Sequence, residues 1–427
     1  MHLFVIHQFP DLDELTPIIY KLDHKLKGMV KILSVFLVHD FREYELVKFL
    51  LKQKIQYYSL SKINLKNYFL NLFLKVIFLL PRFFLFKLNI LWHYLYHNAD
   101  LFTTDDICKF IEKEKIKSIT IDNGLSDRFQ KIFYDSCVRM DIKLIKYVIG
   151  INLRKNLKVE KNQLEYCHKY IISGAMVSTL EEINLKKKIV RINSARYSIE
   201  WLEILEKINY LKLKDYKPYF PNKDKLKIVI FTRPFINYIE WKKIEEKINS
   251  LGNTEVRLKI KPRGDLSPLS VNRQTLQQFT SSELINWADL VVSHISSILA
   301  EVLMKNKPLF YLDYITKDKY KEIWQFYYTK IKKKKNKIQE NTPFHMIDGC
   351  PDDKAKGINN HLEDHSFFVK INSLDHLIKE IVSFSKNVQN SNENELKDKK
   401  NFLKKVLGNQ YESKGQLDKY VNFYKNL

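Results

Sequence analysis

Two rhythms of apolar residues alternate along the first 200 positions. Continuous runs rich in Val, Ile, Leu and Phe occur at 3–7 and 30–38, with a shorter one near 55–59. A run of that kind, apolar on consecutive positions and bounded by polar residues, predicts a strand buried on both faces. Between the runs, at 12–26 and 43–52, apolar residues recur every three or four positions, which predicts helices that cover a sheet with one face. Beyond residue 100 the same alternation gives a helix at 105–114, a strand at 118–121, a helix at 128–140 and a strand at 143–149. Short strands follow at 169–172 and 189–192. Strands alternating with helices imply an α/β class with a mostly parallel, doubly wound sheet.

The alternation stops at 207–225, KINYLKLKDYKPYFPNKDK, a polar stretch rich in Lys, Tyr and Pro that reads as a linker. It then restarts: strand 226–231, helix 240–250, strand 255–260, short helix 281–287, strand 290–293, helix 298–304. Lys307-Pro308 stops that helix before a strand at 309–312. The expected organisation is therefore a Rossmann-like domain over 1–206, the linker, a second Rossmann-like domain over 226–385, and a polar tail with a terminal helix over 386–427.

Size and charge narrow the partners. A chain of 427 residues can bury two separate cores. A formal charge of +23 favours an anionic partner such as a nucleotide, an acidic glycan or a phospholipid surface, although abundant Lys, Asn and Ile suggest that part of it is compositional bias. No nucleic-acid module signature is present, and no nucleic-acid partner is expected. The four cysteines stand far apart without CxxC pairing, so neither a zinc site nor a disulfide framework is expected. MHLFVIHQF lacks the basic start and long apolar stretch of a signal peptide and reads as a core strand, consistent with a cytoplasmic protein. Residues 64–97 are dense in Phe, Leu, Ile, Trp and Tyr, but Lys66, Lys75, Arg82 and Lys87 interrupt them and Pro81 falls near the middle. A spanning helix is disfavoured. The segment suits either a peripheral seat on the inner membrane, with basic side chains reaching the headgroups, or a buried helical hairpin.

Candidate chemistry collects at strand ends, where an open α/β sheet binds ligands. In the second domain Arg233 follows the first strand, Lys261 and Arg263 follow the next, and His294, Ser296 and Ser297 lie between strand 290–293 and its helix. Cations and a helix start there can hold phosphates and offset the charge of a departing nucleotide without a metal. Glu301, one turn into that helix, can accept hydrogen bonds from ribose hydroxyls. In the first domain His7, Asp11, Asp13, Asp40 and Asp122 are candidates for a general base acting on a hydroxyl acceptor; His7, Asp122 and Asp13 are the preferred set, with Asp11 and Asp13 also readable as helix caps. There is no GxGxxG, GxxxxGK[ST] or HExxH, so no bound cofactor and no metal are expected.

The stretch Ala288-Asp-Leu-Val-Val-Ser-His-Ile-Ser-Ser297, with Glu301 and Lys307-Pro308, resembles the donor-site strand, turn and helix of the CDP-glycerol glycerophosphotransferase and capsule polysaccharide transferase group. Lys261-Pro262-Arg263 is similar to that group's Lys-x-His-Pro motif, without its His. Thr120-Ile-Asp-Asn-Gly-Leu125, Ile172-Ser-Gly174 and Lys188 to Tyr197 with Trp201 resemble bacterial surface-carbohydrate biosynthesis proteins, with Asn193, Ala195 and Ser198 standing where that pattern has Gly, Pro and Asp. These resemblances imply the GT-B superfamily: two Rossmann-like domains facing a cleft, and a metal-independent glycosyltransferase using a CMP-, CDP- or UDP-linked sugar. They further imply a glycan or glycolipid acceptor in capsule or lipopolysaccharide assembly. Alternatives on the same fold are a CDP-alcohol polymerase of the glycerophosphotransferase type, a nucleotide-sugar epimerase, or a non-catalytic scaffold.

Overall fold

The structure, a computed structural model, describes residues 1–7, 9–35, 41–64, 101–148, 161–172, 186–215, 225–232, 238–259, 280–293, 298–312, 369–386, 393–408 and 411–427, with single positions at 69, 159 and 367. It divides into two compact units: residues 1–151, 156–203 and 407–427, and residues 152–155 and 204–406.

Among the described residues unit 1 is built on seven parallel strands, β1 (His2–Ile6), β2 (Val30–Ser34), β3 (Gln56–Ser59), β4 (Ser118–Asp122), β5 (Lys143–Tyr147), β6 (Lys169–Ile172) and β7 (Ile189–Arg191). Their order across the sheet is β3-β2-β1-β4-β5-β6-β7. The register sets Phe4 of β1 beside Ile32 of β2 and Thr120 of β4. The chain thus walks outward from β1 to β3, returns, and walks the other way from β4 to β7. The reversal leaves a switch point between β1 and β4, the position at which doubly wound sheets bind ligands.

Helices α1 (Phe9–Leu26), α2 (Glu45–Lys52), α3 (Thr104–Glu114) and α4 (Asp127–Arg139) belong to this unit. α3 begins with a capping box in which Thr103 and Asp106 satisfy each other's backbone N–H groups. It ends on Lys115 in the left-handed region at φ 51°. On one face of the sheet Val5, Ile119 and Ile121 are buried with Phe102, Phe129 and Phe133, the Phe102 and Phe129 rings stacked at 4.8 Å. Leu12, Leu15, Ile18, Ile19 and Leu22 are fully buried apolar residues of α1.

Helix α5 (Ile199–Asp215) carries the chain from unit 1 into unit 2. The first half of the expected linker is therefore helical: no Pro or Gly interrupts 207–215, and the first Pro is Pro218. Unit 2 has strands β8 (Leu226–Phe231), β9 (Thr254–Lys259), β10 (Leu290–Ser293), β11 (Leu309–Leu312) and β12 (Val369–Ile371), all parallel, in the order β12-β11-β10-β8-β9. Its switch point lies between β8 and β10, where Ser293 is paired with Phe231. Helices α6 (Tyr238–Asn249), α7 (Ser281–Trp287), α8 (Ile298–Met304), α9 (Leu374–Lys386) and α10 (Glu393–Leu407) follow.

The segment 386–427, expected as a polar tail with a terminal helix, divides between the units. α10 lies in unit 2, whereas α11 (Gln416–Lys425) belongs to unit 1 and packs on α1. Leu417, Tyr420, Val421 and Tyr424 are buried there, and Tyr424 packs at 5.5 Å from the Phe4 ring. Polar residues make up half of this helix, but those four positions form one apolar stripe, and that stripe decides where it goes. Among the described residues no helix is long and apolar enough to cross a membrane. Apart from Asn64 and Phe69, the apolar segment 64–97 lies outside the described residues.

Candidate functional site

The switch point of unit 1 assembles three side chains that lie far apart in sequence. His7 follows β1, Asp11 stands in the first turn of α1, and Asp122 ends β4. One Asp11 oxygen, Oδ2, accepts from the His7 backbone N–H at 2.8 Å and lies 2.8 Å from His7 Nδ1. Asp11 therefore fixes the ring with its Nδ1 proton inward and Nε2 turned to the far side. His7 Nε2 lies 3.7 Å from Asp122 Oδ2. The side chains are 10%, 0% and 4% exposed for His7, Asp11 and Asp122, so the imidazole works in surroundings largely cleared of water. The backbone holds Asp122 as well: Leu125 donates to the Asp122 carbonyl at 3.2 Å, and the Asn123 N–H reaches Tyr147 of β5 at 3.0 Å. The Gln130 amide reaches back to the Asn123 carbonyl at 3.1 Å.

Asp13 is turned elsewhere. Its Oδ1 accepts from the Tyr44 hydroxyl at 3.2 Å, and its Oδ2 lies 3.4 Å from Arg196. Burial and the Asp13 charge push the Tyr44 hydroxyl well above its ordinary value, which keeps it a donor. Two positions along a helix turn the side chain by about 200°, so Asp11 and Asp13 cannot serve the same centre. The structure thus gives the role of orienting His7 to Asp11, and ties Asp13 to the segment after β7. His39 and Asp40 lie outside the described residues.

Glu14, next along α1, enters a buried hydroxyl network. Ser194 donates to its Oε2 at 2.9 Å and Tyr147 at 3.4 Å; the Tyr147 and Tyr420 hydroxyls are 3.3 Å apart, and Tyr420 donates to the Asn193 carbonyl at 2.8 Å. The segment 193–198, singled out in the sequence for its Arg and Tyr, thus clamps the start of α1 through Ser194 and Arg196. Arg196 and Tyr44 carried no sequence signal of this role, because their partners are far away along the chain.

In unit 2 Arg233, Lys261, Arg263, His294, Ser296 and Ser297 lie outside the described residues. Glu301 is described: it is buried on α8, 3.6 Å from Lys305. Lys305 also reaches Ser282 at 2.7 Å and Asn286 at 2.8 Å, both on α7. Asp289 and Lys307, part of the same sequence motif, work at the amino end of β10. Asp289 Oδ2 accepts from the Lys227 backbone at 2.9 Å. Lys307 donates to the carbonyls of Ala288 at 2.7 Å and Asn286 at 3.2 Å. Their contribution is to pin β10 against β8 and α7.

No protein-family model and no curated protein sequence matches the chain. Solved structures do. The wall teichoic acid polymerase TagF aligns over 100% of this chain and 88% of its own, with 9% identity and a TM-score of 0.51. The chain has the GT-B fold. A UDP-GlcNAc 2-epimerase from Neisseria meningitidis, solved with UDP-GlcNAc, aligns over the whole of both chains at 12% identity and a TM-score of 0.49. The calicheamicin glycosyltransferase CalG4 aligns over 99% of this chain and 98% of its own at 6% identity and a TM-score of 0.48. At 9% identity the likeness to TagF is one of fold. The α/β class and the two Rossmann-like units expected from the sequence are both present.

Proposed function

We propose that the protein is a glycosyltransferase that moves a sugar from a nucleotide-activated donor to a hydroxyl of a glycan or glycolipid acceptor. One observation carries the reading: on a GT-B fold, a histidine stands at the unit 1 switch point with Nδ1 held by a buried carboxylate and Nε2 directed away from it. In the reaction the acceptor oxygen forms a bond to the anomeric carbon, and the bond from that carbon to the donor's phosphate oxygen breaks. The acceptor proton passes to His7 Nε2, while Asp11 and Asp122 stabilise the imidazolium so formed. The nucleotide leaves with the electron pair of the broken bond. Arg233, Lys261, Arg263, His294, Ser296 and Ser297 would hold its phosphates, and Glu301 its ribose. The chain's charge of +23 and the 64–97 segment would keep the enzyme peripheral to the cytoplasmic face of the inner membrane, beside an anionic, lipid-linked acceptor in surface-polysaccharide assembly.

The test begins with thermal shifts against CMP, CDP, UDP, GDP and ADP. One nucleotide should raise the melting temperature by mass action, and Ser297→Ala or Lys261→Ala should abolish the rise. With the matching nucleotide sugar and a membrane glycolipid extract, His7→Gln should keep the thermal shift but slow transfer by about 10²–10⁴-fold. If no nucleotide stabilises the chain, the reading fails in favour of a scaffold. Isomerised donor formed without acceptor would assign an epimerase instead, and a phosphodiester in the product would assign a phosphotransferase.

A further inference from the structure

The separation of His7 Nε2 from Asp122 Oδ2 is chemically informative. At 3.7 Å it is too long for a hydrogen bond. Two ligand atoms each about 2.1 Å from a shared ion, at an angle of about 120°, stand that far apart. The ring is also poised as a metal-bound imidazole is: its other nitrogen is held by Asp11 at 2.8 Å, the carboxylate–histidine arrangement that fixes the tautomer and raises the basicity of the ligating nitrogen. Ligand-capable atoms of His7, Asp11 and Asp122 all lie within 4.8 Å of one another.

We propose that the unit 1 switch point binds a divalent first-row transition cation of the zinc type, through His7 Nε2 and Asp122 Oδ2, with Asp11 orienting the histidine and water completing the coordination. One imidazole nitrogen with one carboxylate oxygen and water suits such an ion better than Mg²⁺ or Ca²⁺, which favour all-oxygen sites. The site departs from the sequence expectation that no metal is involved. It stands on the geometry of these three residues alone. Its consequence rests on the transferase reading: a cation on Nε2 occupies the lone pair that would take the acceptor proton, so the loaded form is the inactive one and metal availability becomes a brake on transfer.

The experiment uses full-length protein stripped with a chelator and titrated with Co²⁺, followed by visible absorption and by calorimetry. About one equivalent should bind, with affinity at least tenfold weaker in both His7→Gln and Asp122→Asn, and about 10–100-fold weaker in Asp11→Asn. His376→Gln, which changes a histidine paired with Glu380 on α9 of unit 2, should bind as the wild type does. Thermal melts establish that each variant is folded; if His7→Gln is not, the near-isosteric Asp122→Asn carries the test. The absence of binding, or binding equal in wild type and Asp122→Asn, overturns the site. Either result leaves the transferase reading intact, because that reading is judged by nucleotide-dependent thermal shifts at unit 2 residues.

Discussion

β1 begins with His2 and is followed by His7, and His2, the one remote from the candidate site, makes a quantitative test of the fold. His2 is buried, its Nδ1 2.7 Å from Ser118 Oγ and its ring edge-on to Tyr424 at 5.3 Å. Burial, then the N-terminal ammonium and Lys117, lower its pKa from 6.5 to about 4. The unfolded chain therefore binds a proton at His2 between pH 6.5 and 4 that the folded chain refuses. Stability from this group is complete above pH 6.5 and drains away as pH falls toward 4. With those two values the loss between pH 7 and pH 5 is about 2 kcal/mol. Urea denaturation of wild type and His2→Asn at both pH values measures it. The other histidines and carboxylates contribute equally to both proteins, so the difference of differences isolates His2. Wild type should lose about 2 kcal/mol more than the variant on acidification. Equal losses would refute the claim that His2 is buried and neutral, and with it the docking of α11 over the start of β1.

Two further outcomes follow from the return of the chain to unit 1. The Thr120 and Tyr424 hydroxyls, both on buried residues, are 2.7 Å apart; Thr120→Val and Tyr424→Phe should each cost about 1–3 kcal/mol by stranding the other group, while the double variant costs clearly less than their sum, as a double-mutant cycle in urea will show. Gly408, at the entry to this segment, has φ +100°, and a Cβ there would stand 2.5 Å from Asn193 Oδ1. Gly408→Ala should therefore destabilise the protein by about 1–3 kcal/mol, read as a lower melting temperature; an unchanged melting temperature would contradict the placement of 408 against 193.

The sequence by itself determined the class of fold and the inventory of its parts. Strand and helix periods are local properties: runs such as 118–121 and 290–293 announce buried parallel strands wherever they end up, and both appear as β4 and β10. The sequence's strand ends also place His7 after β1 and Asp122 at the end of β4. Strand order was beyond it, because the ladder that joins β1 to β4 links positions 116 residues apart, His2 to Ser118, with no periodic trace in either. Only that pairing brings Asp122 to His7. Nor could composition choose between Asp11 and Asp13, since the choice depends on where α1 begins and which way its first turn faces. The terminal helix is the clearest case: the sequence announces the helix but not its place, and its four buried apolar residues acquire a destination only once α1 and β4 offer an apolar face and the Thr120 hydroxyl to receive them. Hydrophobic pattern specifies that a surface must be covered, whereas the folded sheet decides by what.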